Sequence, residues 1–123
     1  MARPEDFTHR EVLTLRGRMH FVEAGQGKPL LLLHGGHGGW VHWIDNIHAL
    51  AGARRVIAPD LPGFGFSDPP VADPELSDHV AAVQGFLEAL ELRHIDLAAF
   101  SFGTTVATTL IREGPFMSTV WRW

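Results

Sequence analysis

The sequence contains no cysteine, and this absence excludes several classes of protein. Without thiols the chain forms no disulfide scaffold, no thiolate zinc site and no cysteine nucleophile. Basic residues are also few, because 10 Lys and Arg stand against 14 Asp and Glu and give a formal net charge of −4. The positive surface that a nucleic-acid-binding protein needs is therefore not expected.

Long hydrophobic runs are missing as well. No stretch approaches the roughly 18 apolar residues of a membrane-spanning helix, and the first ten residues lack the apolar run of a secretory signal. The composition, with 46% hydrophobic and 20% charged residues over 123 positions, is sufficient for a packed core. These features predict a soluble, cytoplasmic globular domain with neither a membrane nor a nucleic-acid partner.

Short apolar runs alternate with segments of helical periodicity. The predicted strands are residues 12–15 and 19–22, which form a hairpin, and 30–33, 56–58 and 95–100; the predicted helices are 40–51, 73–90 and 101–112. The three later runs are continuously apolar, as in strands that are buried on both faces. Strands that alternate with helices through short loops indicate an α/β protein with a mostly parallel sheet.

The most informative loop is Ala99-Phe100-Ser101-Phe102-Gly103, which joins a predicted buried strand directly to a helix. A serine in such a sharp turn presents its hydroxyl above the sheet, and the strained backbone requires small residues at 99 and 103. The helix start supplies free N–H groups for a developing oxyanion. A simpler interpretation is that Ser101 only caps the helix, but the strand–turn–helix context favours a nucleophile.

A glycine-rich loop follows the strand at 30–33 and allows two further interpretations. Gly36-His37-Gly38 begins a dinucleotide-binding pattern with Asp60 as its acid, but the third glycine position holds Val41. The histidines at 34, 37 and 42 could hold a metal, although a flexible loop fixes no geometry for them. We therefore predict no cofactor and no metal.

The loop over residues 60–68 leaves the next strand and carries two phenylalanines. Phe64 and Phe66 are large apolar side chains that are not expected to be fully solvated. A rigid structural turn and the rim of a pocket are both consistent with this composition, and we favour the rim.

Together these residues resemble the α/β-hydrolase superfamily over about residues 10–113. Leu-Leu-Leu-Leu-His-Gly-Gly at 30–36 is similar to the family's oxyanion-loop motif, and Ala-Phe-Ser-Phe-Gly at 99–103 is similar to its nucleophile elbow. The segment at 55–68, which reads Arg-Val-Ile-Ala-Pro-Asp-Leu-Pro-Gly-Phe-Gly-Phe-Ser-Asp, resembles a strand and loop of the same family.

The resemblance implies a role for each matching residue. Ser101 is expected to be the nucleophile, and the N–H groups of Gly36 and Phe102 are expected to form the oxyanion hole. Gly35 would shape that loop and, with Phe64, contact the substrate. His34 would be structural and not the catalytic base.

A serine at the elbow argues against the dehalogenase and epoxide-hydrolase branches, because the resemblance implies an aspartate there. Two positions depart from the commoner family pattern: Ala99 stands in place of a glycine, and Thr104 follows Gly103 where a second glycine is frequent.

The length of the chain is the larger departure. In the family the acid and the histidine of the triad follow the elbow helix, whereas none of the 8 histidines here follows Ser101. We therefore expect residues 1–123 to form one incomplete α/β-hydrolase domain, truncated after the elbow helix. In this interpretation residues 114–123 are a divergent tail that lacks the next apolar strand, and its two tryptophans have nothing to pack on.

Two hypotheses about function remain open at this point. The first is a serine hydrolase that acts on a small carboxylic ester or a similar acyl bond, with this chain lacking the triad acid and histidine. The second is a catalytically inactive fragment or partner-dependent binding protein, in which the strand before Ser101 is an exposed sheet edge and promotes self-association. Whether the chain alone is an enzyme stays open between them, and the substrate is not specified by the sequence.

Overall fold

A computed structural model describes residues 2–113 in full and residues 117–122 by their backbone strand. Six strands in this part of the chain form one sheet in the order β1-β2-β4-β3-β5-β6. The strands are β1 (Thr8–Thr14), β2 (Gly17–Ala24), β3 (Pro29–Leu33), β4 (Arg55–Pro59), β5 (Ile95–Ala99) and β6 (Met117–Arg122). Strands β1, β2 and β4 pair antiparallel, and β4, β3, β5 and β6 pair parallel. The predicted α/β class with an N-terminal hairpin is confirmed.

The helices lie on the two faces of the sheet, as the apolar runs predict. The α-helices are α1 (Ile47–Leu50), α2 (Leu76–Ala89) and α3 (Phe102–Glu113), and two 3-10 helices cover Pro4–Asp6 and Trp40–Trp43. Leu31 and Leu33 of β3 pack in the core on the α2 and α3 side, whereas Leu30 and Leu32 pack on the other side. A continuous leucine run is thus required because β3 is covered on both faces.

The helix predicted over residues 40–51 is wrong in its extent. It is divided into the 3-10 helix Trp40–Trp43 and the single turn of α1. Residues 41–46, Val-His-Trp-Ile-Asp-Asn, are all weak helix formers, so the tighter i to i+3 hydrogen bonds replace the α-helical ones there.

The helix predicted from residue 73 begins at Leu76 instead. Glu75 is the cap residue, and its backbone N–H donates to the Asp78 carboxylate at 2.9 Å. A carboxylate three residues into the helix therefore satisfies the cap, and Asp73 and Pro74 stay outside it.

The expectation that no strand follows α3 is wrong. Met117–Arg122 forms β6, which pairs parallel with β5, so the strand before Ser101 is not an edge of the sheet. The segment Ser-Thr-Val-Trp is rich in β-branched and aromatic residues, a composition that favours strands more than its polarity suggested. The predicted packing of Trp121 and Trp123 lies outside the described side chains.

An ionic cluster holds the strand ends that are remote from Ser101. Asp96 at the start of β5 bonds Arg54 at 2.5 Å and lies 3.3 Å from the Lys28 ammonium. Burial alone would raise the pKa of Asp96, but the hydrogen bonds and charges of Arg54 and Lys28 hold it below its usual value. The starts of β4 and β5 are thus joined by charge at the end opposite the glycine loop.

Gly85 provides a test of the α2 assignment. A methyl group at Gly85 would lie 3.7 Å from Thr14 Cβ, which is an ordinary contact. Gly85→Ala should therefore raise the free energy of unfolding by about 0.5–1 kcal/mol, since glycine is entropically costly inside a helix. Urea denaturation followed by circular dichroism measures the change, and a lower midpoint for the variant would contradict the assignment.

Candidate active site

Ser101 occupies a strained turn between β5 and α3. Its φ angle is +54°, a left-handed conformation that a residue other than glycine rarely adopts. The N–H of Thr104 donates to the Ser101 carbonyl at 2.9 Å, and the N–H of Gly103 donates to the Phe100 carbonyl at 3.0 Å. Ser101 itself is exposed. The turn therefore presents the serine to solvent at the start of a helix, as the sequence predicts.

The close approach of two backbone segments explains why residue 103 is a glycine. A Cβ at Gly103 would overlap the carbonyl oxygens of Leu33 and His34 at the end of β3. The Phe100 N–H also donates to the Leu33 carbonyl at 3.2 Å. The elbow thus packs directly onto the end of the neighbouring strand, with no room for a side chain between them.

The glycine loop that follows β3 lies against the elbow. A Cβ at Gly35 would be 3.1 Å from Ser101 Cβ and 2.7 Å from the Phe100 ring, so only glycine fits without a shift. A Cβ at Gly36 would meet Phe102 Cβ at 3.8 Å, an ordinary contact. The structure therefore brings Ser101, Gly35, Gly36 and Phe102 together, as the sequence reasoning expected.

His34 fixes the start of the glycine loop with both of its ring nitrogens. The Leu61 N–H donates to His34 Nε2 at 2.8 Å, so the ring proton lies on Nδ1 and donates to the Gly35 carbonyl at 2.6 Å. Burial lowers the pKa of His34, because desolvation disfavours the imidazolium. Both nitrogens of a neutral ring are occupied, so His34 is not available as a general base or as a metal ligand.

Asp60 fixes the other end of the loop. The carboxylate is buried, and it accepts the Trp40 N–H at 2.9 Å and the Phe66 N–H at 3.0 Å. It also lies 2.8 Å from His20 Nδ1. A Cβ at Gly39 would be 2.7 Å from Asp60 Oδ1, so the carboxylate itself explains that glycine. Because Asp60 is only 1% exposed, its carboxylate is not accessible to a ribose, which argues against the dinucleotide interpretation.

The two phenylalanines of the 60–68 loop have different surroundings. Phe64 is half-buried, with its ring centroid 5.4 Å from that of His34 and 6.3 Å from that of Phe102. Phe66 is 71% exposed and lies over His20 at 5.4 Å. Phe64 thus adjoins the candidate oxyanion residue Phe102. Phe66, although largely exposed, lines an open cavity with His9 and His20, which is consistent with the predicted rim position.

A cavity beside the elbow involves residues that the sequence reasoning missed. It has a volume of about 360 Å³ and is lined by His42, Trp43, Asn46 and Phe100. The His42 ring packs edge-on to the Phe100 ring at 5.4 Å, and His42 Nδ1 accepts the Gly35 N–H at 3.3 Å. The sequence offered one indication of this cavity, since Phe100 directly precedes Ser101.

Comparisons with known proteins agree with this architecture. A sequence model described as the alpha/beta hydrolase fold matches residues 28–115. A 2-hydroxymuconate semialdehyde hydrolase from Pseudomonas sp. (strain CF600) is 38% identical, with 86% of this chain and 39% of the relative covered. A haloalkane dehalogenase from Mesorhizobium japonicum is also 38% identical, with 85% of this chain and 34% of the relative covered.

The fold has close counterparts among solved structures as well. The crystal structure of an epoxide hydrolase from Vigna radiata superimposes with a TM-score of 0.89 at 28% identity, over 96% of this chain and 40% of that one. The chain thus spans about two fifths of the length of the proteins that it matches. Within the described residues, no helix is long and apolar enough to cross a membrane.

Gly103→Ala tests the close packing of the elbow. The added methyl overlaps two backbone carbonyls that cannot rotate away, so the free energy of unfolding should fall by about 1–3 kcal/mol. Urea denaturation measures this change, with Gly36→Ala as the matched control because that methyl has only an ordinary contact. A Gly103→Ala protein as stable as the wild type would show that elbow and strand are further apart.

The neutral His34 predicts a pH dependence of stability. The unfolded chain protonates this histidine near its ordinary pKa of 6.5, whereas the folded chain resists protonation to lower pH. As pH falls below about 6.5 the unfolded state therefore binds more protons, and the free energy of unfolding decreases.

Denaturation midpoints between pH 7 and pH 5 check this decrease. His34→Asn should be less stable at neutral pH by about 1–3 kcal/mol, because buried hydrogen bonds are lost, and its stability should depend less on pH. A residual dependence is expected from His79, whose pKa is also lowered by burial. Replacement of the exposed His94 by Asn is the control, and an identical slope in His34→Asn and the wild type would contradict the prediction.

Proposed function

The chain belongs to the family of the alpha/beta hydrolase fold, and from this premise we propose that it carries the nucleophile and the oxyanion hole of a serine hydrolase. The proposed reaction is the hydrolysis of a carboxylic ester or a similar acyl bond in a small molecule. The observation that carries the proposal is the left-handed Ser101, exposed at the start of α3 and in contact distance of the glycine loop.

In the proposed reaction, Ser101 Oγ bonds to the carbonyl carbon and its proton passes to a general base. The carbonyl oxygen becomes an oxyanion, which the N–H groups of Gly36 and Phe102 and the positive end of α3 would stabilise. The leaving group departs with a proton, and water then cleaves the acyl-enzyme to the carboxylic acid and free Ser101. No step requires a cofactor or a metal.

The base is the missing component of this chemistry in the described part of the chain. Residues 2–113 provide no hydrogen bond to the Ser101 hydroxyl. His34 has both ring nitrogens bonded, and His94 lies before β5, at the opposite end of the strand from Ser101. We propose that residues 1–123 are one part of a larger catalytic domain, in which the acid and the histidine of the triad belong to segments that this chain does not include. The greater length of the relatives supports this.

The cavity beside Phe100 supports a substrate with an apolar or aromatic group. Phe100 and Trp43 contribute aromatic surface, and His42 and Asn46 contribute hydrogen-bonding groups at its wall. Gly35 and Phe64 would contact the reacting carbonyl region from the glycine loop and the 60–68 loop. Relatives named for a semialdehyde, a haloalkane and an epoxide match this same scaffold, so the similarity by itself does not select the bond.

The serine at position 101 narrows the choice of the bond that is hydrolysed. Serine favours acyl chemistry over the dehalogenase and epoxide-hydrolase reactions, for which the resemblance implies an aspartate. A second candidate substrate class is an oxo compound of the kind named for the Pseudomonas relative, because that protein is 38% identical over most of this chain.

A fluorophosphonate probe tests the nucleophile directly. If residues 1–123 activate Ser101 without the missing segments, the chain should be labelled at that residue and should hydrolyse a p-nitrophenyl ester. Ser101→Ala should remove the label and at least about 99% of the turnover, since the covalent step is lost. Ser77→Ala, in which an exposed serine of α2 is removed, is the matched control and should label as the wild type does.

Two other results would have distinct meanings. Labelling of Ser101 without ester turnover would support the nucleophile while placing the substrate outside simple esters. Absence of both, in a chain that unfolds cooperatively, would contradict autonomous catalysis and favour the partner-dependent binding protein.

A further inference from the structure

Asp60 is joined to the edge of the sheet by two histidines in series. His20 Nδ1 lies 2.8 Å from Asp60 Oδ2, and His20 Nε2 lies 2.9 Å from His9 Nδ1. The remaining nitrogen, His9 Nε2, lies 2.7 Å from the carbonyl oxygen of Pro4. Exposure decreases along this series, because His9 is exposed, His20 is 5% exposed and Asp60 is 1% exposed.

The protons needed by these contacts can be counted. A carbonyl oxygen only accepts, so His9 Nε2 carries a proton, and one proton each is needed between the two rings and between His20 and Asp60. Three hydrogen bonds in this series would therefore need three protons. Two neutral imidazoles and a carboxylate bring only two, so all three contacts are hydrogen bonds at the same time only when the group shares one extra proton.

The charged neighbours do not offer another partner for this proton. Arg10, Glu11 and Arg18 line an open cavity with His9 and His20. Arg10 bonds Glu23 at 2.7 Å, and Arg18 lies 3.6 Å from both Glu11 and Asp68. The His9 ring packs edge-on to Trp40 and the His20 ring packs edge-on to Phe66, and neither of these partners carries a charge.

The same carboxylate holds the glycine loop. Asp60 Oδ1 accepts the Trp40 N–H, and Oδ2, which contacts His20, also accepts the Phe66 N–H. Without a proton donated by His20, the buried Asp60 carboxylate would lose one of its three hydrogen-bond donors. It would then be free to rotate or to draw in water. The orientation of the carboxylate, and with it the end of the loop at Trp40, thus depends on the proton supplied through His20.

We propose that His9, His20 and Asp60 form a proton-sharing relay that positions the glycine loop beside Ser101. The three are positioning residues, because none of them reaches the reacting atoms. That the positioned loop serves an oxyanion rests on the proposed function, whereas the relay and its effect on the loop do not.

Nuclear magnetic resonance of the ¹⁵N-labelled chain tests the relay without any substrate. The hydrogen bond between the rings should give a ¹⁵N–¹⁵N coupling between His9 Nδ1 and His20 Nε2. The other two ring nitrogens, His9 Nε2 and His20 Nδ1, should both be protonated. If His9 Nδ1 and His20 Nε2 are both unprotonated and show no coupling, the relay is overturned.

Replacement of His9 tests the positioning role, because this exposed residue can be changed without loss of the core. His9→Phe keeps a ring against Trp40 but provides no nitrogen, and it should accelerate amide hydrogen exchange at Trp40 and Phe66 by about threefold or more. His9→Gln can accept from His20 and donate to Pro4, so it should restore slow exchange. His94→Asn, at a remote exposed histidine, is the control and should change neither amide.

The labelling rate of Ser101 by the fluorophosphonate probe connects the relay to reactivity. It should fall in His9→Phe and recover in His9→Gln. Exchange at Trp40 that is identical in His9→Phe and the wild type would overturn the positioning role. If the wild type is never labelled, autonomous catalysis by this chain is contradicted, while the coupling and exchange results still decide whether the relay exists.

Discussion

The arrangement around Ser101 depends on one buried carboxylate. An ion that is removed from water must be compensated by hydrogen-bond donors or by opposite charge, and Asp60 obtains this from two backbone N–H groups and one imidazole. The donors come from the glycine loop, the 60–68 loop and β2, which are far apart in the sequence. Solvating one anion therefore brings these three segments together, and the adjacent Leu61 N–H holds the start of the glycine loop through His34.

Local pattern was sufficient for much of the fold and for the core of the candidate site. The leucine run at 30–33 predicts a strand covered on both faces, and the small residues around Ser101 predict a strand–turn–helix elbow, because each property is expressed by neighbouring residues. The single helix expected over 40–51 failed where weak helix formers met a loop held by Asp60. Strand β6 was missed because its polar composition concealed a β-branched and aromatic sequence.

The cavity wall and the histidine pair show a different limit of sequence reasoning. His20 and Asp60 are 40 positions apart, and nothing within either segment indicates that the two side chains share a hydrogen bond. Such pairs arise from the order of strands in the sheet, where β2 lies next to β4. The family resemblance indicates candidate site residues, whereas the contacts that orient them become visible only in three dimensions.

The leucine run of β3 has a consequence for how the centre of the sheet is aligned. Alternation of polar and apolar side chains normally specifies strand alignment, since a slip by one residue would expose the core face. Strand β3 has four consecutive leucines and therefore no such alternation, so an arrangement slipped by one residue would bury the same kind of side chain. The alignment must then come from its ends, where His34 accepts the Leu61 N–H and Gly103 admits the Leu33 carbonyl. Polar contacts of the candidate site thus select one arrangement among several of similar hydrophobicity, and we expect substitutions of these residues to disturb the alignment of β3 with its neighbouring strands.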